Sequence, residues 1–78
     1  MKILVVDDDK KIAQLREIYI KNEGYEPVSA YNGNEALTKL HTTPDIGLMI
    51  LDIMMPEMNG IEVIKEVRKE SELPILIL

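Results

Sequence analysis

Cysteine, tryptophan and phenylalanine are absent from the chain, and its only aromatic residues are three tyrosines. Without cysteine there is no disulfide framework and no zinc–thiolate site. So few aromatics give no stacking platform for nucleic-acid bases. Basic residues are outnumbered, 9 Lys and Arg against 14 Asp and Glu, and the net charge of −5 argues against nucleic-acid binding by this segment. That balance suits a metal cation or a basic partner surface. No apolar run approaches the length of a membrane span and no charged-then-apolar leader opens the chain, so a cytoplasmic location is expected. No repeat, linker or low-complexity stretch is present. What remains is 78 residues with 46% hydrophobic content, enough for one small globular domain.

The stretch from Ile46 to Gly60 organises the rest. Ile46 to Leu51 is a nearly unbroken apolar run, too short for a membrane helix, and reads as a strand buried on both faces of a parallel sheet. Ile3 to Val6, rich in β-branched residues, is a second such run. Tyr25 to Ala30 is a weaker strand, placed at an edge by Glu26 and Pro27. Leu73 to Leu78 is a fourth, with Pro74 tolerable at its start.

Helical spacing fills the intervals. Lys10 to Glu23 carries Ile12, Leu15 and Tyr19, with Ile18 beside them, and Gly24 stands as a carboxyl-terminal cap. Asn32 and Glu35 form a capping box before a helix with Ala36, Leu37 and Leu40 on its inner face. His41 falls in that helix's last turn as a solvated residue, and Pro44 ends the segment. Asn59 and Glu62 repeat the capping pattern before Ile61, Ile64 and Val67, with Val63 beside them, in a helix reaching about Lys69. Gly60 is expected to allow close backbone approach. Met54, Met55 and Met58 read as adaptable packing. Strictly alternating strands and helices mean an α/β fold with right-handed parallel crossovers.

Chemistry concentrates at two strand ends. Asp7, Asp8 and Asp9 close the first strand, and Asp52 closes the central one. Open α/β sheets place ligands at the carboxyl ends of their strands. Asp52 alone is compatible with a loop cap, since Asp is common in turns. Asp9 fits the cap of the following helix. Asp7 and Asp8 need another account, because adjacent carboxylates repel unless a cation compensates them. If the two strands pair, Asp7, Asp8 and Asp52 converge as hard oxygen ligands suited to Mg2+. A carboxylate beside such a metal can accept a phosphoryl group.

These residues resemble the receiver domain of two-component response regulators. The resemblance rests on Lys2-Ile3-Leu4-Val5-Val6-Asp7-Asp8-Asp9, on Asn32-Gly33-Asn34-Glu35-Ala36-Leu37, and on Leu51-Asp52-Ile53-Met54-Met55-Pro56-Glu57-Met58-Asn59-Gly60. It covers the whole chain and is most similar to the transcription-regulating subfamily with a carboxyl-terminal winged helix. It implies a flavodoxin-like sheet of order 2-1-3-4-5, here read as a partial receiver over residues 1–78 with order 2-1-3-4 and three helices. Asp52 would be the phosphoacceptor of a sensor histidine kinase. Asp8, Asp52 and the carbonyl of Met54 would ligate Mg2+ directly, and Asp7 through a water.

Departures from the family pattern are equally specific. A receiver has about 120 residues, so the resemblance implies truncation after the fourth strand. The family's hydroxyl residue after strand four, its lysine at the end of strand five, the fifth strand and the last two helices are not in these 78 residues. Switching is therefore expected to be impaired. A magnesium-dependent phosphatase with an aspartate nucleophile is an alternative, but it needs an acid two residues after the nucleophile, where Met54 stands. A non-phosphorylated interaction fragment is another alternative. The open edge of the fourth strand is expected to drive self-association.

Overall fold

In the computed structural model, which describes residues 1–53 and 59–78, β-branched and apolar runs become strands and the capped amphipathic stretches become helices. The order is β1 (Lys2–Val6), α1 (Lys10–Asn22), β2 (Glu26–Ala30), α2 (Gly33–Thr42), β3 (Ile46–Leu51), α3 (Gly60–Arg68) and β4 (Ile75–Ile77). The strands form one parallel sheet in the order β2-β1-β3-β4, as expected. The fourth strand is shorter than the run Leu73–Leu78 suggested; at its start Pro74 has no amide hydrogen for the ladder. Among the described residues no helix is long and apolar enough to cross a membrane.

Alternation along β1 divides the core between the two faces of the sheet. Leu4 and Val6 pack with Met49, Leu51, Ala36, Val63 and Val67, on the face covered by α2 and α3. Ile3 and Val5 pack with Ala13 and Ile20 of α1, flanked by Leu48 and Ile50. Ile46 joins the first group although its spacing from Met49 is odd. The β1–β3 register shifts between Lys2 and Ile3, so Gly47 is skipped, as in a bulge that turns one residue over. The central strand thus contributes to both layers.

The face that α1 buries differs from the expected one. Ile12, Leu15, Ile18 and Tyr19 are exposed, Leu15 by 56% and Tyr19 by 70%. Ala13 and Ile20 are buried, with Arg16 and Glu17 partly buried between them. Both stripes have helical spacing. Counting apolar residues favours the exposed one because two positions of the buried face carry charges. Those charges have partners: Arg16 donates to Asp7, and Glu17 accepts from the hydroxyl of Ser29. Small Ala13 lets the helix lie close to β1.

Similarly, Ile61 of α3 is 51% exposed, while Gly60, Val63 and Val67 are buried. On α2 the expected inner face holds, with Ala36 buried and Leu37 and Leu40 packed around it. The capping box before α2 is present in a shifted form. Asn32 Oδ1 accepts from the Glu35 amide at 2.9 Å, and Glu35 Oε2 accepts from the amide of Tyr31 at 2.9 Å. At the end of α1, Gly24 has φ 89°, a left-handed conformation that glycine adopts without strain.

Candidate functional site

Strand pairing places the acids. Val6 and Leu51 are partners in the parallel β1–β3 register, so Asp7 and Asp52 follow equivalent positions on adjacent strands. The backbone continues the ladders one step further. Asp7 donates its amide to Ala30 at 3.1 Å, and Asp52 donates its amide to Val6 at 3.1 Å. Both carboxylates therefore start from backbone held by the sheet. One carboxylate oxygen from each of Asp7, Asp8 and Asp52 lies within 4.8 Å of the others. Asp7 is fully buried, Asp52 partly buried and Asp8 exposed, so the cluster runs from the core to the surface.

Each acid of the first strand end has a different environment. Asp9 is a helix cap, as expected: its Oδ1 accepts from the amides of Lys11 at 2.9 Å and Ile12 at 3.3 Å. Asp7 Oδ1 accepts from the amide of Asp9 at 2.9 Å, and its Oδ2 accepts from Arg16 Nη1. Asp8 projects into solvent next to them. Met54, expected to contribute a carbonyl, lies outside the described residues, as do Met55 and Met58.

Arg16 is the residue that sequence reasoning missed. It lies off the stripe of Ile12, Leu15 and Tyr19 that the apolar spacing of α1 picks out. Its position three residues after Ala13 and four before Ile20 was the available signal, since those three share a helix face. A buried carboxylate such as Asp7 requires a donor with charge, and α1 is the element passing nearest to it in sequence.

Gly60 fixes the far side of the loop. A Cβ at this position would stand 2.5 Å from Ile53 Cα, closer than side chains tolerate. The close approach expected of Gly60 is thus between α3 and the residue following Asp52. His41 is at the opposite end of the molecule, exposed and paired with Glu70. These two border a cavity of about 490 Å³ with Leu40, Pro44, Ile46 and Val67. That cavity opens at the amino-terminal ends of the strands and has none of the three clustered acids in its lining.

Three carboxylates converging on one point form a hard, anionic donor set. Such a set fits a small divalent cation that keeps part of its water shell.

A profile of the response regulator receiver domain matches residues 3–78. Among solved structures, a response regulator receiver protein from Pseudomonas putida is 35% identical, with 99% of this chain and 65% of that one aligned at a TM-score of 0.92. The response regulator protein TrrA from Thermotoga maritima, solved in complex with Mg2+-BeF, is 43% identical over 97% of this chain and 64% of its own, with a TM-score of 0.83. A structure of histidine kinase ThkA in complex with TrrA aligns at 43% identity over 97% of this chain and 66% of that one, with a TM-score of 0.86. The chain therefore spans just under two thirds of the length of these relatives.

Proposed function

This chain belongs to the response regulator receiver domain family, and from that premise we propose that Asp52 accepts a phosphoryl group from the phosphohistidine of a sensor histidine kinase. The observation that carries the proposal is the convergence of Asp7, Asp8 and Asp52 at the ends of two hydrogen-bonded parallel strands. A carboxylate oxygen of Asp52 attacks phosphorus. The new O–P bond forms as the N–P bond of the donor breaks, and the departing imidazole nitrogen keeps the electron pair and takes up a proton. The complex of TrrA with a histidine kinase supports a donor of this class.

In this reading Asp8 and Asp52 would hold Mg2+ directly, together with the carbonyl of Met54, which lies outside the described residues, and Asp7 would hold it through a water. When bound, Mg2+ offsets negative charge on the transferring group. The Mg2+-BeF complex of TrrA supports the choice of ion. The chain's own contribution is to orient the Asp52 carboxylate from a strand end that the Val6 carbonyl holds in place. The likeness to the winged-helix subfamily supports transcription regulation as the output, and the cytoplasm as the place where kinase and DNA are both reached.

The test is incubation with acetyl phosphate and Mg2+, followed by intact-mass analysis. One added phosphoryl group, labile to hydroxylamine and lost in Asp52→Asn, is the expected result. Modification that persists in Asp52→Asn overturns the assignment.

The exposed β4 supports a second property, self-association of the 78-residue polypeptide. Among the described residues β4 pairs only with β3, and Leu76, Ile77 and Leu78 are each about half exposed. An open, apolar edge is a template for a second copy of the same strand.

A further inference from the structure

Arg16 stands in an unusual place for a cation. Its guanidinium donates to Oδ2 of Asp7, the most buried member of the acidic cluster, and the pair is largely withdrawn from water, with side-chain exposures of 25% and 1%. The other oxygen of Asp7 is engaged by the Asp9 amide. Each oxygen of Asp7 thus already has a partner supplied by the chain. We propose that Arg16 is the resident counter-cation of the acidic cluster, and that its charge sets how weakly the cluster binds a divalent metal. The inference rests on the metal-binding reading given above.

The argument is electrostatic. Asp7, Asp8 and Asp52 bring three negative charges within one small volume, and Arg16 returns one positive charge at its inner wall. Without a metal this partial neutralisation lowers the mutual repulsion of the acids. With a metal, the same guanidinium lies close to a doubly charged ion and opposes it. The partly screened edge of a protein does not remove such an interaction.

Asp7 keeps lone pairs for a metal-bound water, since an ionised carboxylate has more acceptor sites than two donors fill. Arg16 therefore does not close the site; it reduces the net charge that attracts the ion. Its place on α1 also links the cluster to the helix. Arg16 shares a helix face with Ala13 and Ile20, which pack against Ile3 and Val5. The guanidinium is carried by a packed helix, and it cannot leave Asp7 without leaving a buried carboxylate uncompensated.

Calorimetric titration of the chain with MgCl2 at fixed ionic strength tests the inference, using wild type, Arg16→Gln and Arg16→Lys. Thermal melts in chelator and in saturating Mg2+ accompany it. Removing the charge in Arg16→Gln is expected to tighten Mg2+ binding by about tenfold or more. The same variant melts lower than wild type in chelator and gains more from Mg2+. Arg16→Lys retains the charge and binds Mg2+ close to the wild-type affinity.

Equal or weaker Mg2+ binding by Arg16→Gln, with wild-type binding intact, overturns the inference and leaves the metal site standing. It would make Arg16 a support for Asp7 and nothing more. Absence of Mg2+ binding in wild type and both variants overturns the metal reading and this inference with it. If Arg16→Gln folds only when Mg2+ is added, the ion has replaced the lost cation, which supports the proposal. If it folds in neither condition, Arg16→Met, which keeps the apolar stem, is judged by the same affinities.

Discussion

Asp52 donates its backbone amide to the carbonyl of Val6 at 3.1 Å, one step beyond the last register pair of β1 and β3. This bond joins the two acidic strand ends through main chain, so their spacing does not depend on flexible side chains. The amides of this junction are expected to report an ion. In a Mg2+ titration followed by amide shifts, Asp8, Asp52 and Met54 move most, and residues beside His41 at the far end move least. A uniform response would show that no site is formed.

Replacing Asp9 by Ala removes an acceptor for two amides of the first turn of α1. Loss of such a cap costs about 1 kcal/mol. In a domain of this size that corresponds to a melting temperature lower by about 4–8 °C. Mg2+ affinity is expected to fall less than the stability of the helix does. A large fall in affinity with unchanged melting would move Asp9 from the helix to the cluster.

Gly60→Ala introduces a Cβ where Ile53 Cα would be 2.5 Å away. Backbone must yield, because no flexible side-chain end is available to do so. Overpacking of this kind costs about 1–3 kcal/mol. Since Ile53 follows Asp52 directly, phosphorylation by acetyl phosphate slows as well. Denaturant melts and mass kinetics on the same variant measure both effects, and wild-type values in both would refute the contact.

Self-association of the 78-residue polypeptide is expected to run through β4. Ile77→Lys places a charge on that strand, a device by which natural edges resist pairing. Sedimentation velocity at micromolar concentration should show dimers or larger species for wild type and a monomer for the variant. A folded wild-type monomer would dismiss the idea.

The Lys69 amine is held above its ordinary 10.5, first by the hydrogen bond it donates to Glu66 at 2.9 Å and then by that residue's charge. A raised amine value means the interaction is fully present below 10.5 and is lost as pH rises through the folded-state value. Glu66→Gln returns the Lys69 titration toward 10.5, which side-chain NMR reads directly. Both groups lie at the surface, so melting near neutral pH should barely change.

Strand and helix positions and the helix caps were readable because each depends on local pattern, whereas the strand order, and with it the meeting of Asp7, Asp8 and Asp52, was an implication of the resemblance to receiver domains. Apolar runs of β-branched residues specify strands, Asx residues before a periodic stretch specify caps, and parallel pairing brings strand ends together. The orientation of α1 was not readable. Its true face combines Ala13 and Ile20 with Arg16 and Glu17, and their polar partners, Asp7 and Ser29, lie outside the helix, at the end of β1 and on the edge strand β2. Hydrophobic spacing contains no information about such partners. Ile61 misled for a related reason: it fits the period of α3, but Gly60 is the residue that comes against Ile53.

The parallel sheet also dictates when each part of the molecule can form. β1 precedes the other described strands, yet it lies between β2 and β3, and among the described residues neighbouring strands are all parallel, with no hairpin joining them. During synthesis the first strand leaves the ribosome with both edges open. Its pairing with β3 waits for α1, β2 and α2 to be translated. Long-range pairings of this kind slow folding, because loop closure precedes any gain from contact. Until Leu51 emerges, the edge of β1 that later takes β3 is exposed, and unpaired strand edges of this kind are sites of aggregation during folding.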